Sequence, residues 1–171
     1  GEGIACHFNR RGRYTGFISP KQYDPEAREI ELRQKHVPGS DYMVPKSEQH
    51  REIGFGLYHG GIVVPDVASI HAGLYHSGLL ARAQAAGATT IGGTPVLNIE
   101  RDGTGFTVST ARGSIKARNV IVATNGYTGG LVPYLQRRVI PFPAFMMATE
   151  PLGEERIRKL LPTLRVFQES A

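Results

Sequence analysis

The stretch NVIVATNGYT, residues 119–128, is a short apolar run that ends abruptly in small and polar side chains. A run with no polar alternation predicts a strand buried on both faces, the kind found in parallel sheets covered by helices. In open α/β sheets ligands gather at the carboxyl ends of such strands, where small residues let the backbone come close. Ala123 and Gly126 remove bulk at that end, and Thr124 and Asn125 can donate or accept hydrogen bonds. The expected arrangement is a parallel strand over residues 120–124 beside another over 88–92.

The residues just before it follow a different pattern. VLNIE, FTVST and SIKAR are short segments separated by Asp102-Gly103 and Arg112-Gly113. Phe106, Val108 and Thr110 fall on one face of the middle segment, and Ile115 and Ala117 share a face of the next, which predicts a one-sided antiparallel meander. Upstream, residues 71–86 place Tyr75, Leu79, Ala83 and Ala86 on one helical stripe, closed by Gly87. Downstream, 129–138 predict a short helical connection, 139–150 a strand and 154–161 a final helix.

Nearer the N-terminus, Phe8, Tyr14, Phe17 and Ile18 flank RRGR, residues 10–13, and predict a hairpin within 4–18. Asp24 as N-cap, followed by Pro25 and Glu26, predicts a helix to about His36, with Glu29/Arg33 and Glu31/Lys35 spaced for ion pairs. A short turn capped by Ser47 and a strand ending near Val64 complete this part. Glycines 54, 56 and 60 have a GxGxxxG spacing, but a polar turn precedes them and a β-like segment follows. That context predicts a structural turn and not a phosphate loop.

The 171 residues are 40% hydrophobic, enough for a real core, and the net charge of +5 comes from 20 Lys and Arg scattered against 15 Asp and Glu. With Cys6 the single cysteine, an internal disulfide and a CxxC site are excluded, and a reducing, cytoplasmic setting is expected. No apolar run approaches the roughly 20 residues that cross a bilayer, so no membrane association is expected. His71 and His76 lie about 140° apart on a helix, and neither HExxH nor GxSxG occurs, so neither a metal nor a serine nucleophile is predicted. The cations Arg10, Arg11 and Arg13 among aromatic rings offer the alternative of a small basic nucleic-acid-binding module. The chain starts with Gly1 almost inside a strand-like segment, as expected for a piece of something longer.

The order of parts carries a resemblance. LLARA at 79–83, Gly87-Ala88, TPVLNI at 94–99, VST at 108–110, GSIKA at 113–117 and residues 120–128 follow one another as in the interior of FAD-dependent oxidoreductases of the D-amino-acid oxidase and glycine oxidase type. With IACHF, RRVIP and TEPL the chain most resembles the gamma-glutamylputrescine oxidase branch. The resemblance implies an α/β fold with α+β character, a partial Rossmann-like FAD lobe with an antiparallel meander, and part of a mixed-sheet substrate lobe. The lobes it implies are 1–65 for substrate, 66–130 for FAD with the meander at 95–118, and 131–171 for substrate again.

It further implies that Val96 lies beside the adenine of FAD and that Ala123, Thr124, Asn125 and Gly126 lie at the strand tip near the cofactor. The implied reaction of the intact parent is oxidation of the C–N bond of a small amine or amino acid to an imine by hydride transfer to FAD. The family's N-terminal GxGxxG and ribose-binding acid are absent from this sequence, and no catalytic residue is carried over. The isolated chain is therefore expected to be inactive, not to retain FAD, and to self-associate.

Overall fold

The fold comes from a computed structural model, whose described residues are 3–143 and 145–170. In chain order the elements are β1 (Arg13–Phe17), α1 (Tyr23–His36), β2 (Tyr42–Val44), β3 (Gly61–Val64), α2 (Ala72–Ala85) and β4 (Val96–Asp102). There follow β5 (Gly105–Thr110), β6 (Gly113–Ala117), α3 (Pro133–Gln136), α4 (Glu154–Leu160) and β7 (Val166–Ser170). The fold is mixed α/β. Two compact units divide the chain, Gly1–Gly87 with Thr149–Ala171, and Ala88–Ala148.

The first unit is built on a four-stranded sheet in the order β2-β3-β1-β7. β1 pairs antiparallel with β3, Tyr14 opposite Val63, and parallel with β7, Tyr14 opposite Phe167. Because side chains alternate along a strand, one face collects Tyr14, Val44 and Val63 with Phe167, closed by Ile53 and Tyr58 from the loop before β3. The other collects Phe17 and Ile62 with Met43 and Val64, covered by Ile30 and Tyr23 of α1. Each such large side chain stabilises by about 1.5–3 kcal/mol through burial. Ile30 is the one buried residue of α1, so that helix is mostly solvated, with Arg33 bound to Glu29 at 2.8 Å and to Asp41 at 3.2 Å.

Polar ties hold this unit's loops. Glu52, buried, accepts from Thr163 Oγ1 at 2.9 Å and Arg165 Nη1 at 3.3 Å, and Gln49 Oε1 accepts the Gly60 N–H at 3.0 Å. The Gly54 N–H donates to the Leu160 carbonyl at 2.9 Å, and a Cβ at Gly54 would run into the Lys159 carbonyl. Gly54 and Gly60, where a Cβ would also run into the Val44 carbonyl, therefore serve close backbone packing, while Gly56 is open.

Several expectations are corrected. There is no hairpin at 10–13: Asn9 bridges Ser69, the Gly12 N–H donates to Val67 O at 2.9 Å, and β1 continues beside β3. Burying Tyr14 and Phe17 on the larger sheet outweighs a local turn. α1 has Gln22 as its N-cap, with no side-chain cap bond, and Asp24 is already helical; Ser19 caps the 3-10 turn Pro20–Gln22 just before it, its Oγ accepting from the Lys21 N–H while Gln22 Oε1 accepts the Ser19 N–H at 2.9 Å. The segment 49–51 is a 3-10 turn begun at Glu48, not capped by Ser47. β7 was not foreseen.

In the second unit β4, β5 and β6 form the expected antiparallel meander, with Val108 opposite both Ile99 and Ile115 and Phe106 opposite Ala117. A bulge between Val96 and Asn98 shifts the start of β4. Residues 120–124 and 88–92 are not strands, and so form no parallel pair. Strand structure consists of inter-strand hydrogen bonds, and these segments join neither sheet; Ile121 is 90% exposed. The strand expected over 139–150 is likewise absent from the described residues, Ala144 lying outside them.

Tyr14 gives the first unit a measurable pH dependence. Its hydroxyl is buried without a hydrogen-bond partner among the described residues, and burial, then the Glu52 carboxylate, then Tyr58, push it from 10.0 up to about 12. A folded-state value above the unfolded one stabilises the fold fully below pH 10, a contribution lost as pH rises through about 12. Denaturant unfolding of the protein should show that decline. Tyr14→Phe should abolish the Tyr14 share of it and, by removing an unsatisfied hydroxyl, leave stability at pH 7 unchanged or raised by about 1 kcal/mol.

Candidate cofactor-binding cleft

The meander's apolar face and the loop that follows it enclose a cleft of about 480 Å³ within the second unit. Val96, Ile99 and Val108 form one wall, and Val120, Val122 and Ala123 another. None of its lining residues is charged. Val96, 37% exposed, sits just before the bulge of β4, and Ala123 and Thr124 reach the same cleft. Asn125 and Gly126 line a neighbouring cleft of about 840 Å³ with residues 139–143, and Tyr127 borders both. The five residues expected at a cofactor site thus fall into two adjoining groups, Val96 with Ala123 and Thr124, and Asn125 with Gly126.

The junction between them is a 3-10 turn, Asn125–Tyr127. Asn125 has φ +47°, left-handed, a conformation tolerated better by Asn than by most residues with a Cβ. A Cβ added at Gly126 would meet nothing within 4 Å, so the room there is not needed by internal packing. Thr124 Oγ1 and Thr128 Oγ1 are 2.7 Å apart, and Thr128 Oγ1 donates to the Asn125 carbonyl at 2.7 Å. Sequence reasoning missed Thr128. The signal was present in the two threonines four apart, a spacing that one helical turn brings together.

The apolar, uncharged walls suit a flat ring and not a phosphate. Pyrophosphate binding needs backbone donors at a helix N-terminus after a glycine-rich turn, or cations; no cation lines the cleft, and α3, which begins at its edge after Gly129 and Gly130, is only 4 residues long and starts with Pro133, which has no N–H. The glycines of 54–60 lie in the other unit, Gly54 and Gly60 packed as described above. The residues present fit the apolar part of FAD and do not fit its pyrophosphate. Of the rings near the basic segment, Tyr14 and Phe17 are buried in the core and Phe8 is exposed, while Arg10 is bound to Asp66.

Over residues 1–170 the sequence matches the family described as DAO, FAD dependent oxidoreductase. The chain belongs to this family. FAD is its cofactor. Over 107 residues the chain is 35% identical to a probable oxidoreductase, OrdL, of Rhizobium meliloti (strain 1021), a match covering 63% of this chain and 25% of that protein. A probable oxidoreductase OrdL of Haemophilus influenzae is 28% identical over 114 residues, 64% of this chain and 26% of that protein.

Among solved structures, glycine oxidase from Geobacillus kaustophilus aligns with a TM-score of 0.69 at 20% identity, covering 78% of this chain and 36% of that one. NikD, an unusual amino acid oxidase essential for nikkomycin biosynthesis, aligns with a TM-score of 0.60 at 25% identity, covering 75% and 34%. The glycine oxidase likeness is one of fold. The chain spans about a quarter of the length of these curated relatives.

If the cleft is an apolar ring site, a carboxylate in its wall must spoil it. Titration of the purified protein with an apolar fluorescent dye should show Val96→Asp binding at least about fivefold more weakly, because the acid is desolvated by the entering ring. Equal binding would remove Val96 from the wall.

Proposed function

We propose that this chain forms part of a larger flavin-dependent oxidoreductase that oxidises the C–N bond of a small amine or amino acid, with a gamma-glutamylputrescine-like amine as substrate. The observation that carries the reading is the cleft, where the uncharged wall of Val96, Ile99 and Val108 adjoins the small and polar residues at 123–126 in a chain whose family uses FAD. Bound FAD supplies a hydride acceptor for the carbon attached to nitrogen, so that the amine becomes an imine and oxygen or another acceptor takes the electrons.

In this proposal Val96, with Ile99 and Val108, packs against the adenine. Ala123 and Gly126 let the cofactor approach the backbone, and Thr124 and Asn125 hydrogen-bond to it. Residues 66–130 belong to the FAD lobe, and 1–65 and 131–171 to the substrate lobe. A cytoplasmic setting belongs to the same proposal; no helix among the described residues is long and apolar enough to cross a membrane. The pyrophosphate donors and the groups that orient the substrate come from the rest of the parent.

Taken alone, the chain has little to hold FAD with, because allowing approach contributes little free energy without donors. Phe142, Phe145, Met146 and Met147 are each more than nine-tenths exposed, which favours self-association of the isolated chain. The purified 171-residue chain should be colourless after gel filtration with FAD and show no amine oxidation. The full-length parent should be yellow and turn over gamma-glutamylputrescine faster than glycine or D-alanine. A yellow, active 171-residue chain would overturn the partial-site reading, and a parent that oxidises none of these amines would overturn the reaction.

A further inference from the structure

The loop at 124–128 contains a short hydroxyl relay whose direction can be deduced. A threonine hydroxyl has one proton. That of Thr128 goes to the Asn125 carbonyl at 2.7 Å, so the 2.7 Å contact between the two hydroxyls requires Thr124 to donate and Thr128 to accept. Thr124 is left with lone pairs alone for any outside group. The Asn125 carbonyl also accepts the Thr128 N–H at 3.2 Å, so Thr128 grips that peptide with side chain and backbone together. Asn125 is held left-handed, a conformation that persists where its surroundings over-determine it. Its carboxamide has no hydrogen-bond partner among the described residues.

We propose that Thr128 is a positioning residue for the cofactor. By taking the Thr124 proton and giving its own to the Asn125 carbonyl, it fixes Asn125 left-handed, keeps the carboxamide as the donor offered to bound FAD, and leaves Thr124 as an acceptor for a cofactor hydroxyl. This rests on the reading that residues 123–126 border the FAD site, and goes beyond it by assigning donor and acceptor roles and naming the residue that sets them. Valine in place of Thr128 keeps the shape and removes both hydrogen bonds; serine keeps both.

The test is FAD affinity of the full-length parent's apoprotein, followed by flavin fluorescence, with denaturant unfolding of each apoprotein alongside. Thr128→Val should weaken binding about tenfold, and Thr128→Ser should stay within about twofold of the wild type. In an Asn125→Gly background, where glycine adopts the left-handed conformation unaided, adding Thr128→Val should cost less than about threefold more. That non-additivity separates positioning from a general loss of structure, which would carry over in full.

Unchanged affinity for Thr128→Val, or the same tenfold loss in both backgrounds, would overturn the proposal. Should Thr128→Val alone fail to fold, the comparison of Asn125→Gly with the double variant decides in the same way, and a double variant that also fails to fold counts against it. A wild-type parent that binds no FAD would instead overturn the proposed function.

Discussion

The parallel ladder between β1 and β7 is the constraint on which the rest of the structure depends. It returns residues 166–170 to residues 13–17 and places β1 between β3 and β7, so that Tyr14 and Phe17 are buried on opposite faces of one sheet. Side-chain ties reinforce the closure: Glu52 takes Thr163 and Arg165, and Tyr58 Oη donates to Glu169 at 2.9 Å. In topological terms residues 88–148 are then an excursion that leaves this unit after α2 and rejoins it before α4. The meander and its cleft belong to that excursion.

The excursion is chemically one-sided. Its cleft has apolar walls and no charged lining residue, and the Thr124 and Thr128 protons near its rim are committed, one to Thr128 Oγ1 and the other to the Asn125 carbonyl. Such a surface selects by shape and by exclusion of charge, since an anion placed there would lose hydration and gain no cationic partner. A dinucleotide cofactor carries two negative charges beside its adenine, so a complete site must bring donors from elsewhere. The division of labour follows from which residue types this chain carries at the cleft.

Much of the fold was legible where its causes are local. The meander follows from alternation in β5 and from turns at Gly103 and Gly113, both with positive φ, and α2 from its apolar stripe and closing Gly87, whereas its His71 cap was not read. What could not be read locally was partnership. The rings flanking RRGR signalled a hairpin, yet β1 takes partners some 50 and 150 residues away. The apolar run at 120–124 marked a segment suited to burial and not the strand that would bury it, and so it lines a cleft instead of a sheet. Val96, Ala123 and Thr124 line one cleft, and the pairing of Val96 with that loop was implied by the resemblance and not by any local pattern. Thr128 escaped notice because a hydroxyl without charge or metal spacing resembles any loop threonine until its 2.7 Å contacts are seen.

The central claim, that this chain carries an apolar ring site without its pyrophosphate donors, is tested most directly by titrating the isolated chain with adenosine and with ADP while following methyl resonances by NMR. The account predicts weak adenosine binding that shifts the methyls of Val96, Ile99 and Val108, with ADP binding no more tightly. ADP binding more than about tenfold more tightly than adenosine, with shifts centred on the same residues, would contradict it, since about 1.4 kcal/mol of phosphate recognition would then reside in this chain.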